Sequence, residues 1–190
     1  EDRQACKQKI YDFNQLPPSR QSKEAPQMIK NIFGKTGENV WVEAPFHCDY
    51  GWNIEVGENF YSNYNLTILD VGKVTCGKNV QIAPNVSIYT AGHPVHPDSR
   101  NSGYEYGIPV TVGDNVWIGG NTVILPGVTV GSNVVIGAGS VVSKDIPDNT
   151  IVAGNPCKVI REITDEDRIY YFKKQKFDDE AWEEVKNKNK

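Results

Sequence analysis

Residues 110–145 read VTVGDN VWIGGN TVILPG VTVGSN VVIGAG SVVSKD when written in blocks of six. The first position of each block, continued for two more blocks, is a small or β-branched residue: Val110, Val116, Thr122, Val128, Val134, Ser140, Ile146 and Val152. An α-helix returns apolar residues every three or four positions and an open strand every two, so neither explains a sustained period of six. A six-residue period is typical of a parallel β-helix, in which short strands coil and stack.

A second register lies two residues behind the first. Its members are Val112, Ile118, Ile124, Val130, Ile136 and Val142, most of them followed by glycine. An earlier run has the same period, with Val42, Cys48, Ile54, Phe60 and Leu66 shadowed by Tyr50, Val56, Ser62 and Ile68. Its phase slips by two residues near Asp70, and Val74, Val80 and Val86 then continue the pattern. We therefore predict one β-helix over residues 37–163.

The period stops between Tyr89 and Pro109 and resumes at Val110 in the same phase. An excursion that leaves and re-enters a regular coil indicates an inserted loop rather than a domain boundary. We place this loop at residues 89–109. Loops of this length usually have a function.

The two ends of the chain lie outside the repeat. Residues 1–36 are predicted to be a helical segment, with a helix from Ser22, as its N-cap, to Phe33. After Gly154-Asn-Pro156 a strand is expected over residues 158–163. Thr164 and the acidic residues after it predict the start of a C-terminal helix within residues 164–190.

Composition narrows the class of protein. The chain has 190 residues, 38% of them hydrophobic, and a net charge of -4. A nucleic-acid partner is not expected, because neutralising phosphates requires a concentrated basic face. With no apolar stretch long enough for a membrane span and no hydrophobic signal region, we expect a cytoplasmic protein without a membrane partner. The four cysteines form no CxxC pair and are interpreted as reduced, mostly structural residues.

His93 is the main candidate for chemistry. It stands at the root of the predicted loop, between Gly92 and Pro94. An imidazole acts near neutral pH as a base toward a hydroxyl, although a loop histidine also often serves only to bond its neighbours. Together with His47 and His96 it could bind zinc, but the spacing encodes no metal geometry, and we predict no metal.

Polar residues on the first coils suit a polyhydroxylated ligand. Asp49, Asn63 and Asp70 could face the same side as the loop, although a turn-capping role is equally compatible with the last two. Lys158 and Arg161 flank the last strand and could receive a phosphorylated ligand, or form a solvated surface.

These segments resemble the hexapeptide-repeat sugar O-acetyltransferases, most closely the maltose and galactoside acetyltransferases. The resemblance covers about residues 7–172. It is carried by Pro45-Phe-His-Cys-Asp-Tyr-Gly51, Ile82-Ala-Pro-Asn-Val86, Thr90-Ala-Gly-His-Pro94, Gly113-Asp-Asn-Val-Trp-Ile-Gly-Gly120, Gly137-Ala-Gly-Ser140 and Gly154-Asn-Pro-Cys-Lys158. Hexads alone are weakly specific among acyltransferases, whereas their combination with the His-Pro loop is strong.

The resemblance implies a left-handed β-helix, an exception to the right-handed crossover rule, assembled as a homotrimer with active sites between subunits. It implies acetyl-CoA as co-substrate and a small sugar as acceptor. By position, His93 resembles the family's general base. Asp49 and Asn63 match acceptor-pocket positions, and Asp70 is added as a third candidate there. Positions along coenzyme A are matched by Trp117, Gly120, Ala138, Ser143, Lys158 and Arg161.

Two departures limit what the resemblance implies for this chain. Asp49 and Val71 agree with the maltose-type pattern, so maltose or glucose is the favoured acceptor. The chain begins at Glu1, and the family's N-terminal segment of about twenty residues, which helps close the acceptor site, has no counterpart here. We therefore expect a truncated chain whose acceptor specificity is the property most affected.

Two alternatives stay open at this point. The same scaffold could acetylate an amino sugar or a nucleotide sugar. The second alternative is a non-catalytic β-helix that serves in binding or as a scaffold. Such a protein would have a flat face of repeated Thr-x-Thr rungs, and Thr67, Thr75, Thr111 and Thr129 do not form one.

Overall fold

The structure is a computed structural model in which residues 1–188 are described. Its core is a parallel β-helix, as the six-residue period predicts. In chain order the strands are β1 (Val40–Val42), β2 (Phe46–Cys48), β3 (Ile54–Val56), β4 (Phe60–Ser62), β5 (Leu66–Leu69), β6 (Val74–Cys76), β7 (Gln81–Ile82), β8 (Ser87–Tyr89), β9 (Ala91–Gly92), β10 (Tyr106–Gly107), β11 (Val110–Val112), β12 (Trp117–Ile118), β13 (Val123–Ile124), β14 (Thr129–Val130), β15 (Val135–Ile136), β16 (Val141–Val142), β17 (Thr150–Ala153), β18 (Lys158–Glu162), β19 (Tyr170–Phe172) and β20 (Gln175–Lys176). The helices are α1 (Asp2–Asn14), α2 (Pro18–Ile32), α3 (Pro97–Asn101) and α4 (Asp179–Lys188).

Three parallel sheets form the faces of the coil. The first face is ordered β1-β4-β7-β12-β15-β17, the second β2-β5-β8-β13-β16 and the third β3-β6-β11-β14. β18 extends the first face as an antiparallel strand beside β17. Val110 pairs with Val74, so the coil resumes after the loop directly on the preceding turn.

Both sequence registers point inward. Alternate residues of a strand face the same side, so positions two apart share one face and fill the interior together. Val110 and Val112 are 0% and 1% exposed, and Ile118 and Ile124 are fully buried. The predicted core positions are therefore confirmed.

The structure corrects the register at both ends of the coil. Val42 pairs with Ser62 and Cys48 with Ile68, so both belong to the second register, and the phase slips once more between Cys48 and Ile54. At the other end Ile146 pairs with Val130 and Val152 with Ile136, which also places them in the second register. The reason is that turns between strands differ in length, whereas a fixed period assumes equal turns.

The turns between faces stack into three corners. The loop corner joins the second face to the third and contains residues 49–53, 70–73, 90–109, 125–127 and 143–145. The small-residue corner joins the first face to the second and contains residues 43–45, 63–65, 83–86, 119–122 and 137–140. The asparagine corner joins the third face to the first and contains residues 57–59, 77–79, 113–115, 131–133 and 147–149. All the extra residues of the long turns lie at the loop corner.

The asparagine corner is the regular one. Asn59, Asn79, Asn115, Asn133 and Asn149 end its turns with φ between 56° and 58°, a left-handed conformation that asparagine tolerates better than most residues. Nδ2 of each of the first four donates to Oδ1 of the asparagine on the next coil, over 2.8 to 3.0 Å. The corner is thus joined from coil to coil by side-chain amides.

Two helices cover the start of the coil. The sequence predicts a helical segment there but gives bounds for only one helix. α2 begins at Pro18, with Pro17 as N-cap, and not at Ser22. Proline is favoured in the first helical turn because its missing N–H has no intrahelical acceptor there. α1 buries Cys6, Ile10 and Phe13. Asn14, its last residue, exchanges two hydrogen bonds of 2.9 Å with the backbone of Phe46.

The C-terminal helix starts later than predicted. Thr164 caps a single 3-10 turn over Asp165–Ile169, in which Asp167 completes a capping box. A hairpin of β19 and β20 follows, and the α-helix begins at Asp179. Within residues 1–188, none of the helices has the length and apolar character needed to cross a membrane.

Candidate active site

His93 lies at the root of the inserted loop, at the loop corner. The loop leaves and returns through a two-stranded antiparallel ribbon in which Gly92 of β9 pairs with Tyr106 of β10. A Cβ on Gly92 would lie 2.5 Å from Cζ of Tyr106, so glycine allows the aromatic ring to cover this strand. The ribbon places His93 opposite Tyr104 and Glu105.

The hydrogen bond of the His93 ring defines its tautomer. Nδ1 lies 3.0 Å from the backbone oxygen of Tyr104. A carbonyl oxygen accepts only, so Nδ1 carries the proton, and the neutral ring keeps its lone pair on Nε2. Nε2 lies 4.0 Å from Oε1 of Glu105, and the side chain is 53% exposed. The ring is therefore oriented by the loop backbone and presents an accessible basic nitrogen.

The other two histidines have different surroundings. His96 is the N-cap of α3, and its Nδ1 accepts from the backbone N–H of Asp98 at 3.2 Å. His47 is exposed on β2 of the second face. In residues 1–188 no three His, Cys, Asp or Glu side chains are grouped so that they could hold a metal ion.

Asp70 is a structural residue of the loop corner. Its Oδ1 accepts from the backbone N–H groups of Asp49 and Tyr50, at 2.8 and 3.0 Å, and its Oδ2 accepts from that of Gly51 at 2.7 Å. Burial raises its pKa, and the three backbone donors oppose this shift. With 0% of the residue exposed, Asp70 leaves no oxygen for a ligand, in contrast to its predicted role in binding.

Asp49 lies on the turn that Asp70 holds, and it pairs with Arg3 of α1. Asp49 is 6% exposed, while the Arg3 side chain is 52% exposed. The hydrogen bond to Asp49 raises the pKa of Arg3, and the charges of Asp49 and Glu105 raise it further. The helix thus brings a guanidinium to the same corner as the His93 loop.

Asn63 lies apart from these residues within the chain. It follows β4 at the small-residue corner, where its Oδ1 accepts from the backbone N–H of Tyr64 at 2.7 Å. The structure therefore brings Asp49 and His93 to one corner and places Asn63 at another.

At the small-residue corner the turns of successive coils stack closely and form a column along the coil. The backbone N–H groups of Asn63, Ala83 and Gly119 each donate to the next coil over 2.8 to 2.9 Å. A Cβ on Gly119 would lie 2.5 Å from the backbone N of Ala138, so only glycine permits this stacking. Gly120 and Ala138 lie on the outside of the column, and Trp117 of β12 is 55% exposed beside it on the first face.

The remaining predicted residues are more dispersed. Ser143 is exposed after β16, at the loop corner rather than in the column of Gly120 and Ala138. Lys158 and Arg161 lie on β18, at the end of the first face. Arg161 makes two hydrogen bonds to the carboxylate of Asp167, at 2.7 and 2.6 Å, which lowers the pKa of Asp167.

Arg3, Tyr104 and Glu105 are residues of this region for which the sequence predicts no role, although the segment Asn101-Ser-Gly-Tyr-Glu105 is part of the resemblance. Their roles depend on a helix docking and on a ribbon pairing between residues far apart in the chain. The sequence carries one partial signal, since Tyr104 and Glu105 lie just before the point where the six-residue period resumes.

Two family models match separate segments of this chain, and known proteins match most of its length. Residues 109–144 match the bacterial transferase hexapeptide, six repeats, and residues 1–37 match the maltose acetyltransferase hexapeptide capping motif. The second match extends the resemblance to residue 1 and includes both N-terminal helices.

Three matches illustrate the similarity. Galactoside O-acetyltransferase of Escherichia coli (strain K12) is 53% identical over 167 residues, which is 88% of this chain and 82% of the relative. The solved structure of a galactoside acetyltransferase in complex with coenzyme A has a TM-score of 0.90 at 52% identity, covering 93% of this chain and 88% of that one. The maltose O-acetyltransferase from Clostridium difficile 630 has a TM-score of 0.84 at 52% identity, covering 86% and 87%.

Proposed function

This chain belongs to the hexapeptide-repeat acetyltransferases, in the group of the maltose and galactoside O-acetyltransferases, and from this premise we propose that His93 is its general base. The protein is a sugar O-acetyltransferase that uses acetyl-CoA. The observation that carries the proposal for His93 is its tautomer, which leaves an accessible lone pair on Nε2.

Nε2 of His93 takes the proton of an acceptor hydroxyl while that oxygen attacks the carbonyl carbon of the acetyl thioester. A tetrahedral oxyanion forms and collapses, the C–S bond breaks, and the imidazolium returns the proton to the sulfur of coenzyme A. The products are an O-acetyl sugar and free coenzyme A. The hydrogen bond from Nδ1 to the carbonyl of Tyr104 keeps the ring oriented through both proton transfers.

Glu105 acts on the charged form of His93. Its carboxylate, 4.0 Å from Nε2, stabilises the imidazolium that forms when the acceptor is deprotonated. It also stands beside the nitrogen that the acceptor hydroxyl must approach. Glu105 is therefore a positioning residue in this mechanism.

The acceptor binds at the loop corner, with Asp49 and Arg3 in its pocket. Asp49 and Val71 favour a maltose-type or glucose-type acceptor, as the sequence pattern predicts. The exposed part of the Arg3 guanidinium supplies donors to sugar oxygens while Asp49 holds the group in place. Asp70 contributes indirectly, by fixing the turn that carries Asp49.

A homotrimer explains why the predicted residues lie at two corners of one chain. We infer a three-fold assembly in which the loop corner of one subunit faces the small-residue corner of its neighbour. His93 of one copy then meets Asn63, Gly120 and Ala138 of the next. A monomer would hold only half of the residues, so activity should require assembly.

Acetyl-CoA lies along the small-residue corner in this arrangement. Gly120 and Ala138 leave room for the pantetheine arm against the coil backbone, and the exposed Trp117 borders it. Ser143 contributes from the loop corner. Lys158 binds the phosphates at the nucleotide end of coenzyme A. Arg161 also binds these phosphates, after its hydrogen bonds to Asp167 break. The cytoplasmic location stays a prediction from the sequence.

Thiol release from acetyl-CoA, measured against a panel of sugars, tests this proposal. The protein is compared with His93→Ala and with the matched control His96→Ala, which changes a histidine three residues away in the same loop. Loss of a general base should lower kcat by about 10²- to 10⁴-fold, while the control keeps most activity. Binding of coenzyme A should persist in both variants. Similar rates for the protein and His93→Ala would rule out the base assignment.

A further inference from the structure

Cys6 and Cys48 form a close pair of thiols that the sequence spacing does not suggest. Cys6 lies in α1 and Cys48 ends β2, 42 positions later, yet their Sγ atoms are 3.6 Å apart. A disulfide needs a separation of about 2.05 Å, so the sulfur atoms must approach by about 1.5 Å. We propose that Cys6 and Cys48 are a site of oxidation, at which low-molecular-weight disulfides convert the thiol pair into a disulfide that fastens α1 to β2.

Contacts on both sides of the pair hold the two elements together. Arg3, one helical turn before Cys6, binds Asp49, the residue after Cys48. Asn14, at the end of the same helix, exchanges two hydrogen bonds with the backbone of Phe46. The thiols are therefore kept near each other by flanking contacts.

The two thiols are unequal in pKa and in exposure. Their mutual contact lowers the pKa of Cys6, whereas the same contact and burial raise the pKa of Cys48. Cys6 is 4% exposed and Cys48 is half-buried, so the lower pKa favours attack by Cys6 and the greater exposure favours attack by Cys48.

The reaction proceeds by two thiol–disulfide exchanges. The thiolate of one cysteine of the pair attacks one sulfur of a small disulfide, and a small thiolate leaves and takes up a proton. The other cysteine loses its proton, attacks the protein sulfur of the mixed disulfide and expels the second small thiol. The protein loses two hydrogen atoms, the reagent gains them, and the chain becomes lighter by about 2 Da.

The other two cysteines, Cys76 and Cys157, differ from this pair because neither has a sulfur atom in contact with another cysteine of the described part of the chain. Cys76 is buried in the core, and burial raises its pKa to about 12. Cys157 is half-buried, and burial raises its pKa as well. Within residues 1–188, the only cysteine pair with contacting sulfur atoms is Cys6 with Cys48. Oxidation should thus consume two thiols of the four.

The test incubates the full chain with oxidised glutathione, alkylates remaining thiols under denaturing conditions and maps peptides by mass spectrometry. We expect a peptide linking Cys6 to Cys48, two alkylated cysteines at positions 76 and 157, and a rise in Tm of roughly 5–10 °C. Cys157→Ser, the matched control, should form the same link, while Cys6→Ser and Cys48→Ser should form none.

The peptide map of the unaltered chain tests for the Cys6–Cys48 disulfide even if a variant folds poorly. A chain that keeps four alkylated cysteines after prolonged incubation, or a link that joins other cysteines, would overturn the proposal. So would a Cys6→Ser chain that loses as many thiols as the unaltered protein. This test does not depend on the catalytic assignment, because it measures no acetyl transfer.

Discussion

The loop corner and the asparagine corner belong to the same coils but follow opposite rules. The asparagine corner repeats one three-residue turn, with its last residue at φ near 57°, and joins each coil to the next by a side-chain amide. The loop corner has turns of different length and carries His93, Glu105 and Asp49. Regularity at one edge keeps the coils in register, so the other edge is able to vary in length and to carry the chemistry.

Asp70 gives the test with the largest expected effect, because its carboxylate stabilises the loop corner itself. Asp70→Ala leaves three backbone N–H groups without their acceptor, and we expect a loss of about 4 kcal/mol in the free energy of unfolding. Asp70→Asn is the graded control, since it keeps an oxygen for Asp49 and Tyr50 and loses the bond from Gly51. Urea unfolding measures both. If the two variants were as stable as the unaltered protein, the loop corner would not need this carboxylate.

Asn115 tests the regular corner. Asn115→Ala places a left-handed turn on a residue that disfavours it and removes two ladder hydrogen bonds, so the expected loss is about 2 kcal/mol with kcat unchanged at permissive temperature. Asn115→Gly keeps the turn and should lose only about half as much.

The measurement for Asn115 is again urea unfolding, combined with the thiol-release assay. Equal losses for alanine and glycine would show that the amide ladder, rather than the backbone conformation, selects asparagine here. A fall in kcat for either variant would show that the two corners are not independent.

Glu105 tests the catalytic role of the loop corner. A charge 4 Å from Nε2 in a solvated site contributes about 1 kcal/mol, so Glu105→Gln should lower kcat by about fivefold and leave Tm unchanged. Steady-state kinetics with acetyl-CoA and a maltose-type acceptor measures this effect. Glu55→Gln, which changes a carboxylate on β3 paired with Lys73, is the control and should not alter kcat. An unchanged kcat for Glu105→Gln would remove Glu105 from the mechanism.

Asp167 lies beyond both corners and should have the smallest effect. Arg161 lowers its pKa below the ordinary value of 3.8, so the pair stabilises the folded chain above that value and loses this contribution as the pH falls through the lowered pKa. The difference in Tm between the protein and Arg161→Gln should therefore narrow as the pH falls below 3.8. A difference that widens in acid would contradict this assignment.

The sequence predicts the regular parts of this molecule well, because one physical rule governs them. Val110 and Val112 must point inward together once the period is six, and their burial confirms it. The inserted loop is also predictable, as the place where that rule fails. The added phase slip between Cys48 and Ile54 is not, because turn length depends on Asp70 from the next coil, which binds the turn through three backbone groups.

The site is less predictable than the coil. His93 is found from its loop and its resemblance to a known motif, but its tautomer depends on a carbonyl brought near by the pairing of β9 with β10. Arg3 and Cys6 reach the loop corner only because α1 docks on β2. Contacts between elements distant in sequence leave no periodic signal in either partner.

The asparagine corner also gives the molecule an electrical direction. In the parallel sheets, backbone donors point both ways along the coil, as Gly77 donates to Val112 while Asn79 donates to Glu58. The side-chain amides do not alternate, since from Asn59 to Asn133 every Nδ2 donates toward the C-terminal coil. Their dipoles add head to tail, as peptide dipoles do in an α-helix, while those of the sheets largely cancel. Asn39 extends the stack by one more bond, to Oδ1 of Asn59, so the positive end lies at Asn149 and the negative end at Asn39.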